Sequence, residues 1–169
     1  MCRAQSAIRG GRQGPRNVTQ KQRLDLDNYL PYLLNRVGFA MVDSFTAEAL
    51  KDNGLSIDMW RVLAALSNAD ELRQVDLSTR TSIDASTMSR IVSRLVHMGY
   101  VTRSRSKNSN REVIVALAPK GIAFIQRTIP IAHRLEATTA ADLPAKDLAV
   151  VKRALRHFYD NLVKVRSAR

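Results

Sequence analysis

Between Asp84 and Arg111 six cations, Arg90, Arg94, Arg103, Arg105, Lys107 and Arg111, stand against a single acid, Asp84. Guanidinium and ammonium groups at this density suit the phosphates and base-edge acceptors of a nucleic acid. Their spacing divides them into two sets. Arg90 and Arg94 fall one helical turn apart, beside Ser86, Thr87, Ser89 and Ser93, whose hydroxyls can bond phosphate oxygens or base edges. Arg103 and Arg105 alternate as on one face of a strand, and Lys107 and Arg111 close a polar tip, KNSNR. A single serine or arginine on a helix is more often a cap or a solvated face. The group as a whole points to DNA.

Catalysis has no comparable signature. The three histidines, His97, His133 and His157, fall in different predicted helices, with no cysteine or acid at metal-ligand spacing. The chain lacks a phosphate-binding glycine loop, a G-x-S-x-G turn and an H-E-x-x-H helix. The reading is a binding protein, not an enzyme, with no metal and no cofactor.

Local rules build a winged helix-turn-helix around these side chains. Asp84 is placed to cap a helix whose apolar face, Met88, Ile91, Val92 and Leu95, has the spacing i, i+3, i+4, i+7, and Gly99 ends it. A short helix over about Gln74 to Thr81 precedes it. Strands near Tyr100–Ser104 and Glu112–Leu117 follow, as a two-stranded hairpin. Upstream, Asp27 is read as the cap of a first helix running to about Asp52, with Pro31 tolerated in its first turn and Asn53-Gly54 as its stop. Ser56 caps a second helix ending near Asn68, with Leu55 and Trp60 at the spacing of a hydrophobic staple. Pro119 opens a helix to about Thr138 that Pro130 should bend or interrupt, and Pro144 opens the last.

Two helices are too apolar for a small DNA-reading module alone. Leu30, Leu33, Leu34, Val37 and Met41 form a stripe in the first; Leu148, Val151, Leu155, Phe158, Leu162 and Val165 form one in the last. Intertwining with a second copy buries both, so a homodimer is expected. Packing of the two on each other within a monomer is the alternative. The predicted organisation is therefore mainly α with a small β-wing: a basic tail over 1–23, dimerisation helices over 24–54 and 119–169, and a winged helix-turn-helix over 55–118.

Bulk composition agrees. The 169 residues carry a net charge of +12, and six of the 27 basic residues but none of the 15 acids lie in residues 1–23. That segment has almost no apolar periodicity and reads as disordered. No stretch suggests a membrane span or a secretory signal, and one cysteine, Cys2, excludes an intramolecular disulfide; a cytoplasmic protein is expected. An isolated cysteine in such a tail is more often inert than a redox sensor. A non-specific architectural DNA-binding protein fits the charge as well, and is told apart by comparing a palindrome with random duplex at fixed salt.

The block D-x-S-T-x-S-R-x-V-x-R-L at 84–95, with Gly99, the wing and the L-A-P-K-G run at 117–121, resembles the MarR family of bacterial transcriptional regulators. The resemblance extends in order of elements from about Leu24 to the C-terminus. It implies a homodimer with two winged helix-turn-helix lobes, bound to a double-stranded operator and released by a small organic effector, often aromatic or anionic. It also implies an effector site where the first, second and fifth helices meet the DNA-binding lobe, for which Phe39, Met59, Trp60, Arg61 and His133 are the candidates; plain packing is the simpler reading for Met59, Trp60 and His133, and a surface or ion-paired role for Arg61. The sequence departs from the family in two places. Ser109 stands where the wing usually carries Asp, two residues before Arg111, and Ser82 stands at the turn that often holds Gly.

Overall fold

The structure is a computed structural model that describes residues 23–105 and 112–167. The chain divides after Gly38 into two compact units. In the first, Asp25 and not Asp27 is the capping residue: its carboxylate accepts from the Asp27 backbone N–H at 3.1 Å and from Asn28 Nδ2 at 2.6 Å, closing a 3-10 turn over Leu26–Asn28. Helix α1 (Leu30–Phe45) starts only afterwards, with Pro31 in its first turn, where the missing N–H leaves no helical bond broken. Leu30, Leu33, Leu34 and Val37 are all exposed.

Helix α1 does not continue regularly to Asp52. It loosens into a π-helical turn over Thr46–Leu50, tightens into a 3-10 turn over Lys51–Asn53, and ends at Gly54 with φ of 63°. Then follow α2 (Ile57–Leu66), β1 (Glu71–Arg73), α3 (Gln74–Thr81), α4 (Ala85–His97), β2 (Val101–Arg105), β3 (Val113–Leu117), α5 (Pro119–Thr139) and α6 (Ala145–Ser167). Where a hairpin is expected, three antiparallel strands form in the order β1-β3-β2, with Leu72 opposite Val115 and Arg103 opposite Val115 on the other side. A three-residue strand has no periodicity to betray it; β1 exists because β3 offers it an edge.

The core gathers Leu50, Val62, Leu63, Leu66, Leu77, Met88, Val92, Leu95, Val115 and Phe124. It joins α2, α3, α4, the sheet and the first half of α5 into one body. Three helix ends share one device: Leu55 N–H bonds back to Leu50, Ile83 to Ser78 and Tyr100 to Leu95, so each chain reversal satisfies an orphan carbonyl and plants an apolar residue in or beside the core. The left-handed residue at these ends is Gly54, Ser82 and Gly99. Only Ser82 bears a Cβ there, at φ of 57°, so serine is not conformationally neutral at this turn.

The L-A-P-K-G run has a packing role. Lys120 Nζ donates to the Met98 carbonyl at 2.9 Å, near the end of α4, and sits 4.4 Å from the centre of the Tyr100 ring. Ala118 N–H bonds to the Tyr100 carbonyl, and a Cβ on Gly121 would lie 2.1 Å from that same oxygen. Helix α5 therefore begins pressed against the chain that links α4 to β2. It also runs uninterrupted through Pro130. The proline denies Gln126 its helical donor, but both residues are exposed, so water can take its place.

Candidate nucleic-acid interface

Asp84 adopts extended backbone and its Oδ1 accepts from Thr87 N–H at 2.9 Å and from Ser86 Oγ at 2.6 Å. Those bonds, the serine hydroxyl foremost, hold its carboxyl well below the usual carboxylate range. Helix α4 then turns Met88, Ile91, Val92 and Leu95 inward, all buried. Ser86, Ser89, Arg90, Ser93 and Arg94 are left exposed and Thr87 half-buried, with Arg90 Nη2 donating to Thr87 Oγ1 at 3.0 Å. A helix anchored on one side and covered with donors and hydroxyls on the other is shaped for a major groove.

On the sheet, Arg103 and Arg105 share the face that carries Val101, Val113 and Val115. Near the helices this face is core; farther along the hairpin runs past them, and both arginines are exposed. Lys107 and Arg111 lie outside the described residues, as do the tail over 1–22 and Cys2. The root of the wing is held by a contact that spacing reveals only in part. Arg73 donates to both carboxylate oxygens of Asp76 at 2.8 and 3.0 Å, and to Glu112 Oε1 at 3.2 Å, tying β1, the first turn of α3 and the start of β3 together. Asp76, three residues on, is visible as a helical pair; Glu112, on another element, is not.

The effector candidates are spread out. Met59 is buried in the core, Phe39 is 75 % exposed, and His133 is exposed on α5. Arg61 pairs with Asp58 at 3.0 Å on the surface. Trp60 is half-buried, edge-on to Phe45 at 4.5 Å between ring centres, and its Nε1 donates to Thr128 Oγ1 at 3.0 Å. With its N–H engaged, Trp60 has only its ring to offer a ligand. Trp60 and Arg61 join Ala64, Asn68 and Arg80 around an open depression of about 410 Å³. Among the described residues no cluster of His, Cys, Asp or Glu could hold a metal, and no helix is long and apolar enough to cross a membrane.

Comparison with known proteins gives a consistent answer. The model of the MarR family matches residues 55–113, which span α2 to the start of β3. The HTH-type transcriptional repressor Rv2887 of Mycobacterium tuberculosis is 30% identical over 129 residues, covering 76% of this chain and 92% of that one. Among solved structures, a MarR family regulator from Silicibacter pomeroyi is similar with a TM-score of 0.71 and 27% identity, over 81% of this chain and 92% of the other. BpsR of Bordetella bronchiseptica, whose DNA binding is regulated by 6-hydroxynicotinic acid, is similar with a TM-score of 0.68 and 25% identity, over 77% and 98%. The winged helix-turn-helix built from local rules and the relatives found by likeness agree: this chain belongs to the MarR family of transcriptional regulators.

Proposed function

We propose that the protein is a homodimeric, cytoplasmic repressor that reads a pseudo-palindromic operator and leaves it when a small aromatic anion binds beside Trp60. The observation that carries this reading is α4, whose Met88, Ile91, Val92 and Leu95 are buried while its serines and arginines stand outward. Two copies of α4 would enter successive major grooves about 10 bp apart, with Arg103, Arg105, Lys107 and Arg111 of each wing on the flanking DNA.

Dimerisation is supported by what a single chain leaves uncovered. Leu33, Leu34 and Val37 on α1, and Val151, Leu155, Leu162 and Val165 on α6, are exposed. Apolar stripes of this length call for a partner surface. The effector reading draws on two supports. Arg61 and Arg80 border the depression beside the Trp60 ring, a cationic rim for a carboxylate against an aromatic wall. BpsR, a similar fold, is regulated by an aromatic acid.

Sedimentation of the full chain with a duplex selected from a random pool tests the core of this. The expected result is a dimer that binds one duplex carrying two inverted half-sites. A chain that stays monomeric at micromolar concentration, or binds random duplex equally well, refutes it.

A further inference from the structure

The exposed side of α4 carries polar groups whose hydrogen-bond directions are set by one another. Asp84 is ionised and has no proton to give, so the 2.6 Å bond between Ser86 Oγ and Asp84 Oδ1 is donated by the serine. A hydroxyl has one proton and two lone pairs. With the proton committed, Ser86 turns only lone pairs outward. The bond is short and charge-assisted, roughly twice as strong as a neutral one, so taking the proton back to donate elsewhere is unfavourable. Thr87 is occupied as well: its backbone N–H goes to Asp84 and its Oγ1 accepts from Arg90. Arg90 has donors alone. One helical turn thus presents an acceptor at Ser86 and a donor fork, steadied by Thr87, at Arg90.

In the major groove only two bases show an amine, adenine at N6 and cytosine at N4; guanine O6 and N7 and thymine O4 are acceptors. Phosphate oxygens are acceptors too, so a serine without a free proton does not suit them. We propose that Ser86 is a specificity-determining residue that accepts a hydrogen bond from the exocyclic amine of an adenine or cytosine, beside a guanine addressed by Arg90. This rests on the reading of α4 as the helix that enters the groove.

The test begins with binding sites selected from a randomised duplex pool by the full chain, by Ser86→Ala and by Arg90→Ala. The unaltered protein should require A or C at one position of each half-site, and Ser86→Ala should lose that preference alone, by about tenfold. In a second arm that base is replaced by its analogue lacking the amine, purine for adenine or pyrimidin-2-one for cytosine. The unaltered protein should lose the same factor, and Ser86→Ala should lose nothing further. Equal weakening of Ser86→Ala on every sequence would make Ser86 a phosphate contact and overturn the inference, as would indifference to the missing amine. If Arg90→Ala changes the selected sequence and Ser86→Ala does not, only this inference falls. If neither variant changes it, the groove-reading role of α4 falls with it.

Discussion

Ser82 Oγ and Tyr159 Oη lie 2.8 Å apart, joining the left-handed turn before the recognition helix to the middle of α6, 77 residues away. A serine in this conformation costs roughly 1 kcal/mol or more relative to glycine, and a hydrogen bond at an exposed site returns about as much. Ser82→Gly should therefore change unfolding stability by less than about 0.5 kcal/mol, since strain and bond are lost together. Tyr159→Phe keeps the strain and loses the bond, so it should cost about 0.5–1 kcal/mol. Urea titration of both variants decides. A Ser82→Gly variant less stable than Tyr159→Phe would show that the turn is not strained.

Gly121→Ala should be far more damaging. Its Cβ would meet the Tyr100 carbonyl oxygen at 2.1 Å, a backbone atom that already accepts from Ala118 N–H and cannot simply rotate away. Separation of α5 from the wing strand is the remaining way to relieve it, at about 3 kcal/mol by the usual cost of overpacking. Thermal unfolding followed by circular dichroism would show the loss; a variant as stable as the parent would contradict the packing.

Asp84 gives the stability of the lobe a pH dependence whose sign follows from its bonds. Its carboxyl is depressed in the folded chain from an ordinary 3.8, so its contribution is complete above that pH and fades as pH falls below it. Asp84→Asn still caps α4 at neutral pH but has no charge to titrate. Its stability should trail the parent's by a constant margin above pH 3.8, and the margin should narrow as pH falls below that value. Parallel slopes for both proteins across this range would remove Asp84 from the account.

A carboxylate introduced at Leu155 or Leu162 (Leu155→Glu, Leu162→Glu) should separate the subunits of the proposed dimer. Both are exposed on α6 in the single chain, so neither substitution disturbs a core, and a carboxylate between two apolar stripes is poorly tolerated. Light scattering should report a folded monomer, and operator affinity should drop in the same variant. An intact dimer would place the interface elsewhere.

An aromatic acid that releases operator must bind the free protein better than the bound one, and operator must weaken the acid by the same factor. A 100-fold preference corresponds to about 2.7 kcal/mol, within the usual range for coupling between sites. Trp60 is the sole tryptophan, so its fluorescence reports one place. Titrations of 6-hydroxynicotinic acid and related acids with and without operator should differ in midpoint. Identical midpoints would exclude the compound as an inducer.

Much of this molecule is written in short-range pattern. The apolar spacing of Met88, Ile91, Val92 and Leu95, the cap at Asp84 and the stop at Gly99 define α4 without reference to any other element, because helix periodicity and capping act within one or two turns. Arg90 and Arg94 sit on the outward side for the same reason: once the apolar side of α4 is buried, the rest of the helix faces solvent.

What the tertiary structure alone decided are relationships between elements far apart in the chain. Strand β1 forms only because β3 lies beside it, and Glu112 reaches Arg73 only through that pairing. Asp25 caps a 3-10 turn that holds Asp27 inside it, ahead of the helix for which Asp27 is the expected cap. Pro130 interrupts nothing because the orphaned carbonyl belongs to an exposed residue, which a list of residues does not show. The family's L-A-P-K-G run reads as a signature in sequence and becomes a joint only when Tyr100 is brought against Gly121 and Lys120. Local rules choose the elements because their energies come from neighbours along the chain; contacts across the fold choose their meeting points, and no spacing in the sequence encodes those distances.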